Sequence, residues 1–123
     1  MQDFKHIRAW QRAHALAIAI HKAASRFRKA GHGNLRSQLI RSAESIATNI
    51  VEGCGATTNR EFARFLEISI KSANETEYHL LSARDLELFS SEVWRHFSTE
   101  TVEIRKMLYT YRKRVLESPR SAE

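Results

Sequence analysis

The sequence predicts an all-α protein, an antiparallel up-down-up-down four-helix bundle. Apolar residues recur at steps of three and four along four separate segments, the spacing that lines one face of a helix. Glycine turns or capping residues separate those segments by short links, which make successive helices antiparallel neighbours. No strand-like alternation and no internal repeat interrupts the pattern. A longer coiled-coil assembly is the weaker alternative, because helix-breaking glycines divide the chain.

The first helix is expected over residues 3–30, starting between Asp3 and Ile7. Trp10, Ala13, Leu16/Ala17, Ile20, Ala24 and Phe27 share one of its faces. Gly31-His32-Gly33 ends it, and Asn34 is placed to cap the second helix, expected over residues 35–53. Leu39, Ala43, Ile46, Ala47 and Ile50 form the apolar face there. Gly53 and Gly55 can turn left-handed at its end. Thr58 and Glu61 read as a T-x-x-E capping box opening the third helix, expected over residues 59–88. Ser90 is positioned to cap the fourth, expected over residues 91–117, with Phe89 and Trp94 as a hydrophobic staple. This helix has the most regular repeat: Trp94, Phe97, Thr101, Ile104, Leu108, Tyr111, Val115. A short tail, 118–123, contains the only proline, Pro119.

At 123 residues the chain reads as a single domain, 1–123, able to bury one core without staples. The only cysteine, Cys54, cannot form an intramolecular disulfide, so nothing points to an oxidising compartment. The longest apolar run, Ala15 to Ile20, is too short to span a bilayer, and the start MQDFKHIRAW lacks a signal-peptide core. A cytoplasmic protein with no membrane association is expected.

Three blocks carry a family resemblance: Arg41-Ser-Ala-x-Ser45-Ile46, Asn49-Ile-x-Glu52-Gly53 and Glu61-Phe62-x-x-Phe65-Leu66. They resemble the signature of small bacterial four-helix-bundle proteins encoded inside ribosomal RNA intervening sequences, and are similar to accessory proteins of diversity-generating retroelements. The resemblance runs from Ile7-x-x-Trp10-Gln11 to Met107-Leu108. It implies the same bundle, a ring-shaped homopentamer, and RNA and a reverse transcriptase as partners. The chain departs from the pattern at Lys71, where a glycine usually precedes Ser72, and at Ala56, where a basic residue often follows the turn. By helical angle Lys71 projects away from the Phe62/Leu66/Ser69/Ala73 stripe, so it bears on contacts outside the bundle.

Helix 3 also predicts assembly from its residues. Ile68, Phe65, Phe62, Leu66 and Ile70 span an arc of roughly 200°, whereas a core-facing stripe needs about 100°. A neighbouring subunit is the simplest cover for the excess, and Phe65 and Ile68 are the interface candidates; the alternative is that a twisted bundle shields the flanking positions and leaves an ordinary exposed remainder.

Charge supplies the functional clue. The net charge is +6, but residues 1–41 hold nine basic residues and one acid, while residues 42–123 hold eleven basic and thirteen acidic residues. Lys5, Arg8, Arg12, Lys22, Arg26 and Lys29 fall within roughly 120° on the side of the first helix away from its apolar face. Such a stripe can run along a phosphate backbone. Arg26, Arg28 and Lys29 are also explained by the negative C-terminal dipole, whereas Lys5, Arg8 and Arg12 sit at its unfavourable end. No motif for reading bases is present, so binding is expected to be backbone-directed.

A second polar surface comprises Arg41, Ser45, Thr48, Asn49 and Glu52 on the second helix. A hydrogen-bonded subunit or partner contact, with Glu75 or Glu77 of another helix, is the favoured reading; the alternative is an exposed face whose residues near Gly53 merely finish the helix end. Glu75/His79 and Glu92/His96 share faces, but two residues per helix do not define a metal site. His14 and His21 lie seven apart, too far for joint ligation. No phosphate-cradling loop and no nucleophile–base pair is visible. The sequence therefore predicts a non-enzyme without cofactor, a homo-oligomeric scaffold associated with nucleic acid. A protein-interaction module whose basic charge serves solubility is the competing reading.

Overall fold

The computed structural model of the chain describes residues 2–27 and 31–118. A 3-10 turn at Phe4–His6 precedes α1 (Arg8–Ala24), α2 (Gly33–Cys54), α3 (Asn59–Asp85) and α4 (Ser91–Glu117), with no strand among the described residues. Each helix packs on its neighbour in sequence and α1 closes onto α4, while the backbones of the diagonal pairs stay farther apart. That is the square, antiparallel bundle expected from the short links.

The apolar periodicity becomes the core. Ala13, Leu16, Ala17, Ile20 and Ala24 of α1 are buried with Leu39, Ala43, Ile46, Ala47 and Ile50 of α2. Phe62, Leu66 and Ile70 of α3 meet Phe97, Ile104, Leu108 and Val115 of α4, while Trp10, Trp94 and Tyr111 pack half-buried at the margin. Each fully buried Leu or Ile contributes about 1.5–3 kcal/mol relative to exposure. Thr101 sits inside this face because its hydroxyl donates to Phe97 O at 2.8 Å, satisfying the polar atom locally.

The seam between α2 and α3 is different, being built of small hydroxyl residues. Ser42, Ser69, Ser72 and Thr76 are all buried there. Ser69 Oγ donates to Ile46 O at 2.6 Å across the seam, and Thr76 Oγ1 lies 2.9 Å from Ser42 Oγ. Small side chains let the two backbones approach, and each buried hydroxyl finds a partner, so close packing is reached without an unsatisfied group.

Helix ends depart from the expected positions. α1 stops at Ala24 rather than 30, because the Arg36 guanidinium of α2 donates to Ala24 O and Phe27 O and so takes up the carbonyls of the helix end. The buried Phe27 ring meets Phe89 edge-on at 5.1 Å. α2 starts at Gly33 without a side-chain cap, and Asn34 Oδ1 instead accepts from Gln38 Nε2. Neither Gly53 nor Gly55 is left-handed: Gly53 is helical, and Gly55 caps the helix at φ −86°. The Thr58 hydroxyl caps Glu61 N at 3.1 Å, but the reciprocal bond of a full capping box is not formed among the described residues. Ser90 caps Val93 N at 3.1 Å as expected. Phe89 packs on Phe97 and Phe27 rather than stapling Trp94, whose ring lies under the Arg84 guanidinium at 4.5 Å. α3 ends at Asp85 through paired bonds, Leu88 N to Ala83 O and Glu87 N to Arg84 O, with Glu87 at φ 60°.

Candidate nucleic-acid interface

The N-terminal turn places two cations at one end of the bundle. Asp3 caps the 3-10 turn through Lys5 N at 3.0 Å, and Gln11 Nε2 donates to Lys5 O at 2.8 Å, tying the turn back onto α1. Ile7 is extended and buried, so the 3-10 turn is broken off before α1 opens at Arg8. Neither the first turn of α1 nor the turn before it supplies a compensating first-turn acid. Arg8 thus adds its charge to the positive end of the helix dipole.

Because α4 runs antiparallel to α1, its C-terminal half reaches that same end. Arg8, Lys106 and Arg114 border one open cleft of about 530 Å³ whose other walls include Ile7, Ala9, Met107 and Tyr111. Glu103 is the acid in this lining; it holds Lys106 loosely at 3.5 Å. Burial, with a smaller contribution from Cys54, pushes the Tyr111 phenol up to about 12. Burial likewise raises the Cys54 thiol. Tyr111, which lines the cleft, is therefore neutral at physiological pH and presents an uncharged surface beside its cations.

The expected six-residue stripe does not survive intact. Lys5 lies in the 3-10 turn, Arg26 lies beyond the end of α1, and Lys29 falls outside the described residues. Arg12 turns toward α4, where it grips Glu100 through two bonds of 2.8 and 2.6 Å and rests on Met107 Sδ at 3.4 Å. The pair holds Glu100 below the usual carboxylate range, mainly through the hydrogen bonds from Arg12. Arg12 is thus a strut between α1 and α4, its charge paired with Glu100. Arg8, Lys22 and Arg26 remain exposed. Lys106 and Arg114 were missed because overall acidity masks the basic end of α4; its 3.6-residue period together with antiparallel pairing was the available signal.

Two residues of the polar motif on α2, Ser45 and Asn49, turn toward α3 and the helix itself, while Arg41, Thr48 and Glu52 are exposed. Ser45 Oγ and Ser72 Oγ lie 2.8 Å apart, and Asn49 Nδ2 donates to Ser45 O and Oγ at 2.9 and 3.0 Å. Arg41 and Glu52 are exposed and pair with no side chain among the described residues. Glu75 and Glu77 do not reach α2: Glu75 meets His79 at 3.2 Å, and Glu77 accepts from Arg105 of α4 at 2.6 Å. Phe65, offered as an interface residue, is half-buried with its Cβ against the close approach at Gly53, which accounts for part of the broad apolar arc. Ile68 stays 38 % exposed.

Among the described residues, no three His, Cys, Asp or Glu side chains could together hold a metal ion. No described helix is long and apolar enough to cross a membrane. The arrangement can hold anions at a cationic edge.

No protein with a curated description matches the chain. A crystal structure of a protein of unknown function from the S23 ribosomal protein family of Bacteroides thetaiotaomicron is similar, with 28% identity and a TM-score of 0.77, covering 85% of this chain and 98% of that one. The family model described as 23S rRNA-intervening sequence protein matches residues 5–110, which take in α1 to α3, most of α4 and the motif blocks of α2 and α3, and the chain belongs to that family.

Proposed function

We propose that the protein is a non-catalytic, homo-oligomeric cytoplasmic scaffold that binds the phosphate backbone of RNA or DNA. The single observation that carries this reading is the convergence of Arg8 with Lys106 and Arg114 from the opposite end of the sequence. Cations gathered from two helices, outnumbering the one acid Glu103 in the same lining, attract a polyanion, and each neutralised phosphate releases counterions. Lys22 and Arg26 add positive charge farther along the same helix and the loop after it. Family membership supports an rRNA context. A reverse transcriptase partner, implied by the resemblance to retroelement accessory proteins, belongs to the same proposal. Several copies in one assembly would add weak contacts through multivalency, and the exposed Ile68 is the residue through which α3 meets a neighbour.

Fluorescence anisotropy on labelled RNA and DNA across a salt series tests the binding. Affinity should fall steeply with salt, and Arg8→Gln with Arg114→Gln should make the log–log slope shallower by about 1.4–1.8 for two phosphates per engaged copy. Arg12→Gln should leave that slope unchanged. No binding even at low salt would sink the reading and leave the protein-interaction module. Light scattering should give a multiple of the 14.2 kDa chain mass, with five copies expected, and Ile68→Lys should reduce it.

A further inference from the structure

A protein that tracks only the backbone of a duplex needs cations spaced to meet phosphates. Nothing in that contact calls for a recess with apolar walls. Here the cations stand around such a recess. Ile7, Ala9 and Met107 supply apolar walls, the neutral Tyr111 ring closes one side, and Arg8, Lys106 and Arg114 stand at the rim. The volume, about 530 Å³, lies in the range of small-ligand sites, roughly 300–1,000 Å³. Tyr111 is held edge-on against Phe62 at 5.6 Å, so the wall is fixed by the core rather than by a mobile loop.

Building on the backbone-binding reading, we propose that this cleft takes one unpaired nucleotide of a single strand, with its base against Met107 and Tyr111 and its phosphate between Arg8 and Arg114. The charge fits: three rim cations face one acid, Glu103, leaving an excess that matches the phosphates flanking an inserted base. A nucleotide in a strand brings a base face for the apolar walls and a phosphodiester for the rim, whereas in a duplex that face is stacked out of reach. The cleft therefore makes the protein discriminate against paired nucleic acid, with little preference among bases because every base offers a π-face.

Thr110 lines the cleft and is exposed, so Thr110→Trp fills the recess without altering charge or core. Anisotropy is measured with a labelled single strand and with its duplex, at one salt concentration, for the full chain. The wild type should prefer the single strand by about tenfold, the scale of one base-stacking contact. Thr110→Trp should abolish that preference while leaving duplex affinity and circular dichroism unchanged. Met107→Ala, which thins the apolar wall without blocking the recess, should reduce single-strand affinity alone. Equal affinity for both probes in the wild type, unmoved by either variant, overturns the nucleotide cleft but leaves backbone binding standing. Failure of both probes to bind at low salt overturns the two readings together. Complete displacement of the strand by millimolar adenosine monophosphate would identify a free nucleotide as the occupant and overturn the strand.

Discussion

Gly53 and Phe62 are in direct opposition where α2 ends and α3 begins: a Cβ added at Gly53 would stand 2.6 Å from Phe62 Cδ1 and 3.2 Å from Phe65 Cβ. The glycine is needed for this approach and not for any left-handed backbone, since it sits within the helix. Gly53→Ala should therefore destabilise, with overpacking of about 1–3 kcal/mol exceeding the gain of up to about 1 kcal/mol from helix propensity. Urea unfolding measures this directly, and a variant more stable than wild type would refute the steric account.

The Arg12–Glu100 strut should make stability depend on pH. Glu100 is held low in the folded state, so its contribution is fully present above the unfolded carboxylate value of about 4.3 and is lost as pH falls through the lower folded value. Glu100→Gln should cost about 1 kcal/mol near neutrality, as expected for a two-bond pair that keeps some solvent contact. The gap to wild type should close on acidification. A gap that is the same at neutral and strongly acid pH would show that the pair's charge is immaterial.

The hydroxyl seam predicts a modest cost for an isosteric change. Thr76 Oγ1 lies 2.9 Å from Ser42 Oγ and 2.8 Å from Ser72 O, and Ser42 also donates to Leu39 O. Thr76→Val should lower stability by about 1 kcal/mol without changing helical content. An unchanged unfolding midpoint would mean that small-residue packing alone holds α2 to α3.

Glu87 occupies the left-handed position that closes α3, at φ 60°, where an L side chain is strained. Glu87→Gly should raise stability by about 0.5–1 kcal/mol, because relief of that strain outweighs the greater chain entropy of unfolded glycine. A lower melting temperature in the variant would contradict this.

Tyr111 should remain protonated to about 12 in the folded chain, because burial disfavours the phenolate. The unfolded chain gives up this proton near 10, so stability should decline as pH rises from about 10 to the folded value and then level off. Difference absorbance titration of wild type against Tyr111→Phe isolates this step. In the same state the buried Cys54 thiol, also raised by burial, should react slowly with a disulfide reagent and quickly in denaturant. Ionisation of Tyr111 in the ordinary tyrosine range, or fast native labelling of Cys54, would show that this end of the core is open to solvent.

Helix number, order and core faces were legible in the sequence because a 3.6-residue period is a local property: Leu39 to Ile50 and Phe97 to Val115 carry it within a few turns. Capping at Thr58 and Ser90 was legible for the same reason, since each hydroxyl meets an N–H three residues on. Other features depend on partners far along the chain. Arg12 left the basic stripe for Glu100, 88 residues away, and Ser45 turned inward to Ser72, 27 residues away. Gly53 was required by Phe62, which no rule about backbone freedom would name. The cleft that joins Arg8 to Arg114 exists only because α4 returns antiparallel to α1. Sequence determined which face of each helix is apolar; the tertiary structure decided which charges are neutralised and which are left facing solvent, because pairing follows distance in space.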